Sequence, residues 1–168
     1  NLLPLCDELW NFYGPTETTV WSTCLRMEPR EGPVVIGRPL PGNDIYVLDE
    51  KLQPVPLGTS GEICIGGDGV ARGYANLPEL TAEKFVTDPF SDKPGALMYR
   101  TGDLGRWHAD GMLECQGRAD HQVKVRGYRI ELGEIESVLK EHLNVRDSVV
   151  VVHEPVPGDQ RLIGYIIA

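Results

Sequence analysis

Residues 11–19 read Asn-Phe-Tyr-Gly-Pro-Thr-Glu-Thr-Thr, and the apolar Leu2, Leu3, Leu5, Leu9 and Trp10 lead into them. Gly14-Pro15 demands a tight loop, because Gly tolerates backbone angles that other residues avoid and Pro fixes its own. Directly after the turn a hydroxyl and a carboxylate stand side by side, at Thr16 and Glu17. A loop of this kind can aim backbone N–H groups and the Thr hydroxyl at a phosphate, while Glu17 offers hard oxygen to Mg²⁺. An ordinary hydrophilic turn would read the same way, so the weight falls on what accompanies the stretch.

Outward from the loop, residues 18–27 alternate roughly (Val20, Trp21, Cys24, Leu25, Met27) and predict a strand. Gly37-Arg38-Pro39 and Pro41-Gly42 read as turns before a short strand from Ile45 to Leu48. Glu62 to Ile65 is a further strand, ended by Gly66-Gly67. A short helix is expected from Leu77 to Phe85, with Pro78 or Thr81 near its start. Leu97 to Arg100 reads as a strand running into Thr101-Gly102-Asp103, and Trp107 to Gln116 as a hairpin turning at Asp110-Gly111. Short strands between Gly/Pro turns predict a small barrel or sandwich.

From Ala119 the pattern changes. Residues 122–126 and 128–132 alternate with period two around Gly127, as a two-stranded ribbon does. Leu132, Ile135, Val138, Leu139 and Leu143 recur at helical spacing, with Asn144 as a stop. The β-branched run Val149 to Val152 reads as a buried strand, and Leu162 to Ile167 as another. The fold class is therefore mixed α+β. A β-rich, distorted-barrel lobe at 1–119 is followed by a small α+β lobe at 120–168.

With 41% hydrophobic residues, the 168-residue chain can bury a core. Sixteen basic against 25 acidic residues give a net charge of −9, which argues against binding nucleic acid or an anionic membrane by bulk charge. No apolar run reaches the ~20 residues of a membrane span, and the leading residues do not pattern as a signal peptide. Cys6, Cys24, Cys64 and Cys115 are scattered and form no C-x-x-C pair; they read as reduced, packed thiols of a cytoplasmic protein rather than as a disulfide or zinc framework. The chain opens without Met inside an apolar segment and closes in mid-pattern, so it is expected to be a piece of something longer.

Three further features suggest chemistry. Asp103, just past a strand, could accept both hydroxyls of a ribose, or could be a turn Asp bonded to its own backbone. Arg118, beside Gly117, suits phosphate or ribose oxygens, and equally a surface pair with Asp120. Residues 118–129 hold Arg118, Lys124, Arg126 and Arg129 against a single acid, Asp120, which describes a solvated strand face, a surface towards a triphosphate-derived ligand or, third because Tyr128 is the one interleaved aromatic, a nucleic-acid patch. The four histidines show no ligand spacing, and neither G-x-x-x-x-G-K-[ST] nor G-x-G-x-x-G occurs.

Taken together, Asn11–Thr19 (NFYGPTETT), Gly61–Tyr74 (GEICIGGDGVARGY), Tyr99–Leu104 (YRTGDL) and Gly117–Glu136 (GRADHQVKVRGYRIELGEIE) resemble the adenylate-forming enzymes, most closely the adenylation domains of nonribosomal peptide synthetases. The resemblance covers nearly the whole chain. It implies a two-step reaction: a carboxylic acid, here an amino acid, attacks the α-phosphate of ATP to give an acyl-adenylate. The acyl group then passes to the phosphopantetheine thiol of a carrier domain, in concert with the remainder of a synthetase chain.

By motif position, the nucleotide would lie among Asn11, Phe12, Tyr13, Gly14, Thr16, Asp103 and Arg118. Tyr13 would sit against the adenine and Asp103 would bind the ribose. Thr16, Glu17 and Arg118 would act on the reacting phosphates, with Glu17 holding Mg²⁺. Phe12, Val20 and Trp21 would line the acyl pocket, unless they are core residues, and Asp120 would be the hinge of a mobile C-terminal lobe. The family's glycine-rich phosphate loop, its amine-anchoring Asp and its C-terminal Lys are not among these residues, and Cys115 stands where an aromatic is common. Alone, the 168 residues are therefore expected to form no adenylate. An acyl-CoA or aryl-acid ligase of the same superfamily, and a non-catalytic nucleotide- or partner-binding module, are the alternatives.

Overall fold

A computed structural model describes residues 6–29, 32–33, 35–119, 122–125, 128–156 and 158–168. The chain divides into two units, Asn1–Ala119 and Asp120–Ala168. The expected hinge Asp120, together with Arg126 and Gly127, lies outside the described residues.

The first unit is built on one antiparallel sheet. Its strands are β1 (Trp10–Tyr13), β2 (Thr23–Arg26), β3 (Val35–Pro39), β4 (Asn43–Leu48), β5 (Gly61–Gly67), β6 (Phe85–Thr87), β7 (Leu97–Trp107) and β8 (Leu113–Arg118). The sheet order is β1-β2-β3-β8-β7-β5-β4, with β6 pairing on β7. Helix α1 (Pro78–Lys84) carries Pro at its first position, where a missing N–H is harmless.

Strand β5 lies between β4 and β7 and is covered on both faces, which is why its sequence reads as a nearly unbroken apolar run. Ile63 and Ile65 join Ile36, Ile45, Val47 and Leu113 in one core cluster. Cys64, pointing the other way as the pleat requires, joins Leu48 and Met98 in a second. Each such side chain contributes about 1.5–3 kcal/mol of burial.

Three expectations for this unit need correction. The strand predicted over 18–27 forms only from Thr23, because Thr16–Thr18 is a 3-10 turn and Thr19 and Val20 have left-handed backbones. Gly37-Arg38-Pro39 is not a turn but the end of β3, with Cys24 opposite Arg38 and Thr23 opposite Pro39. Asp103 does not follow a strand. Strand β7 continues through it to Trp107, because β5 and β8 pair on either side.

The second unit holds the hairpin β9 (Gln122–Val125) and β10 (Tyr128–Glu131), helix α2 (Leu132–Lys140), and the antiparallel pair β11 (Asp147–His153) and β12 (Arg161–Ile167). Helix α2 ends before the expected Asn144, since Glu141 and His142 already bond back three residues, to Val138 and Leu139. The Val149–Val152 strand is half-buried rather than buried: Ser148 and Val150 face inward, while Val149 and Val151 are exposed. Glu136 of α2 holds the inward face, its Oε1 accepting from the Val150 N–H at 2.8 Å and its carbonyl from the Ser148 hydroxyl at 3.0 Å. No described helix is long and apolar enough to cross a membrane.

Candidate functional site

The Tyr13-to-Glu17 loop is shaped by its own backbone. The main chain folds back so closely that a Cβ on Gly14 would lie 2.6 Å from the Val20 carbonyl oxygen and 2.7 Å from the Trp21 Cα. Pro15 is extended, and the Thr18 N–H bonds the Pro15 carbonyl at 3.1 Å to close the 3-10 turn. Thr19 and Val20 then follow at φ 61° and 72°. Left-handed backbone at a β-branched residue costs on the order of 1–3 kcal/mol, and such strain gathers at functional sites. Two ties hold it: the Thr19 hydroxyl donates to the Gly69 carbonyl at 2.7 Å, and the Ser22 N–H to the Tyr13 carbonyl at 2.8 Å.

Three of the expected residues meet. Asp103 on β7 and Arg118 on β8 are directly opposed, and Arg118 Nη1 donates to Asp103 Oδ1 at 2.9 Å. Arg118 Nη2 also reaches the Thr101 carbonyl at 3.1 Å. The Tyr13 hydroxyl donates to Asp103 Oδ2 at 2.5 Å, across 90 residues of sequence. Burial, then the charge and hydrogen bond of Asp103, push the Tyr13 phenol far above its ordinary range, so it remains a donor. The partner of Arg118 in this cluster is thus Asp103.

Thr101 and Glu62 fix the cluster from behind and were not anticipated. The Thr101 hydroxyl donates to the Ile63 carbonyl at 2.7 Å and accepts from the Asp103 N–H at 2.9 Å. Glu62 accepts from the Gly102 N–H at 3.1 Å and from Arg100 at 2.6 Å.

Glu17 is 9% exposed and is held separately. Its Oε1 accepts from the Tyr74 hydroxyl at 2.6 Å, and its carbonyl accepts from the Ala71 N–H at 2.8 Å. Burial, then hydrogen bonds to Glu17 and Tyr99, hold the Tyr74 phenol well above its usual range. No sequence signal assigned Tyr74 this position, although it closes the Gly61–Tyr74 stretch. Thr16 is exposed beside Glu17.

Asn11 is directed elsewhere, its side-chain amide donating to the Val35 carbonyl at 3.0 Å. Phe12 alternates to the face opposite Tyr13 and stacks on Trp21 with centroids 4.3 Å apart. Phe12, Trp21 and Val20 are 41%, 52% and 63% exposed, so in this unit they are a surface patch and not core. Among the described residues no group of three His, Cys, Asp or Glu side chains could hold a metal. A cavity of about 330 Å³ opens beside Arg72, Asp68 and Lys93, and neither Glu17 nor Asp103 lines it.

Residues 2–75 match the family model described as AMP-binding enzyme. The chain is 55% identical over 161 residues to tyrocidine synthase 3 of Brevibacillus parabrevis, covering 95% of this chain and 2% of that protein. The likeness over residues 2–75 is to AMP-binding enzymes. Among solved structures it is similar to holo-PA1221, an NRPS protein containing adenylation and PCP domains bound to a vinylsulfonamide inhibitor. That likeness has a TM-score of 0.84 at 33% identity and covers 95% of this chain and 28% of that one. It is also similar to holo-AB3403, a four-domain nonribosomal peptide synthetase bound to AMP and glycine, with a TM-score of 0.62 at 48% identity, over 95% of this chain and 12% of that one. The chain thus spans a small part of these relatives' lengths. The mixed α+β architecture is that of a fragment of the family's adenylation-domain fold, and the family is one of enzymes.

Proposed function

We propose that this chain is the nucleotide-binding part of an adenylation domain: residues 1–119 belong to the large lobe and 120–168 begin the small mobile lobe. The full protein, acting in the cytoplasm, would activate an amino acid with ATP and load it on a carrier phosphopantetheine. The observation that carries this reading is the convergence of Tyr13 and Arg118 on the Asp103 carboxylate. Each Asp103 oxygen takes one donor, and a carboxylate has about four lone-pair sites, so its acceptor capacity suits the two hydroxyls of a ribose. With side-chain exposures of 17% and 18%, Asp103 and Arg118 are shielded yet reachable.

In the first step a substrate carboxylate oxygen attacks the α-phosphorus and the bond to the β-phosphate oxygen breaks, releasing pyrophosphate. Asp103 and Tyr13 orient the nucleoside, Thr16 meets the α-phosphate, and Arg118 balances charge on the phosphate side. Glu17 would hold Mg²⁺. A Mg²⁺ ion held by Glu17 would supply positive charge towards the departing pyrophosphate. In the second step the carrier thiol attacks the acyl carbonyl, losing its proton, and AMP departs with the bonding pair. A swing about Asp120 would exchange the two geometries, and Phe12, Val20 and Trp21 would form one wall of the acyl pocket.

The test is amino-acid-dependent ATP–pyrophosphate exchange by the full-length protein, followed by mass measurement of its carrier domain. Exchange with one or a few amino acids and a loaded carrier are expected. Exchange that proceeds but loads free CoA instead would replace the carrier reading. Absence of exchange with any amino or aryl acid would overturn the proposal.

A further inference from the structure

A phenol reaches each carboxylate of the site. Tyr13 donates to Asp103 beside the Arg118 guanidinium, and Tyr74 donates to Glu17. A phenol that donates to a carboxylate orients it and leaves its negative charge in place, which suits a group that must meet a cation.

Tyr74 is itself held firmly. Its N–H donates to the Thr81 hydroxyl oxygen at 2.9 Å, and the Thr81 hydroxyl lies 2.8 Å from the Leu77 carbonyl of the helix entry. Its ring meets Phe85 edge-on at 5.4 Å, and Phe85 packs at 5.1 Å on Tyr99, which is fully buried. The Tyr74 and Tyr99 hydroxyl oxygens are 3.3 Å apart. Three residues before Tyr74, the Ala71 N–H binds the Glu17 main chain. The 71–74 segment therefore fixes both backbone and side chain of Glu17.

We propose that Tyr74 is a positioning residue for the cation: its hydroxyl sets the Glu17 carboxylate in the orientation that meets Mg²⁺ on the nucleotide phosphates. This rests on the reading of Glu17 given under the proposed function. Removing one hydrogen bond to a charged group should shift metal-linked binding about tenfold.

The experiment is calorimetric titration of ATP into the full-length protein carrying Tyr74→Phe, once with Mg²⁺ and once with a chelator, alongside exchange rates as a function of Mg²⁺ concentration. Expected are a roughly tenfold weaker ATP affinity with Mg²⁺ and an unchanged affinity without it. The Mg²⁺ concentration for half-maximal exchange should rise by a similar factor, with kcat nearly kept at saturating Mg²⁺. Equal losses with and without Mg²⁺, or a lower kcat at unchanged Mg²⁺ dependence, would overturn the proposal. Glu17→Gln separates the two levels of inference. If it alters Mg²⁺ dependence and Tyr74→Phe does not, only the role of Tyr74 falls; if neither does, the cation reading falls with it. Should Tyr74→Phe fail to fold, Tyr99→Phe, which loosens the Tyr74 hydroxyl, carries the same test with a smaller shift in the same direction.

Discussion

At the scale of single residues, Asp103 is the most heavily committed side chain of the site, holding Tyr13 through one oxygen and Arg118 through the other. Asp103→Ala in the full-length protein should weaken ATP binding by about 2–4 kcal/mol, through loss of two charged hydrogen bonds to the ribose; unchanged affinity in calorimetry would remove Asp103 from the site. Tyr13→Phe is a milder probe. It should lower unfolding stability by about 1–2 kcal/mol in denaturant titration, since a part-buried carboxylate loses a 2.5 Å donor. Cys64 is fully buried, and burial first, then the Glu62 charge, pushes its thiol up to about 12. Thiol reagents at neutral pH should therefore label it only after denaturation, as peptide mapping would show.

At the scale of elements, β3 and β7 show how pairing overrides turn chemistry. Gly37-Arg38-Pro39 has the composition of a turn, yet β3 runs through it because β2 lies so close that only Gly fits. A Cβ at position 37 would stand 2.0 Å from the Cys24 carbonyl oxygen, at φ +88°. That neighbour is backbone and cannot swing aside. Gly37→Ala should therefore destabilise the protein by about 2–4 kcal/mol, measured as a lower denaturation midpoint at unchanged slope. In β7, Thr101-Gly102-Asp103 also reads as a turn. Pairing of Asp103 with Arg118 keeps it in the strand, and a register shift between Leu104 and Gly105 absorbs the irregularity. The consequence is functional: a side chain in a paired strand is placed more rigidly than one on a loop.

At the scale of the whole molecule, Tyr13, Tyr46 and Tyr74 are all raised above the usual phenol range, burial being the first cause in each case. For an acid whose folded pKa is raised, the unfolded chain gives up its proton first. The stability these residues confer is complete below about pH 10 and declines as pH climbs past it. Denaturation midpoints should therefore hold near pH 8 and drop steadily towards about pH 11, with tyrosinate absorbance for these residues appearing with unfolding rather than before it. A midpoint that stayed level through this range would contradict the shifts.

The sequence by itself determined whatever depends on local period and turn chemistry. It specified the apolar run of β5, a short helix between Leu77 and Phe85, the β9–β10 ribbon and the Tyr13–Thr19 loop with its family resemblance. These follow from neighbours a few residues apart, where pleat, helical turn and fixed φ leave few choices. Only the tertiary structure decided that Tyr13 meets Asp103 across 90 residues, that Tyr74 meets Glu17 across 57, and that Asn11 and Phe12 turn to different partners from Tyr13. Such contacts depend on the order and register of eight strands, which is set by summed burial over the whole sheet. No short stretch of sequence carries that sum.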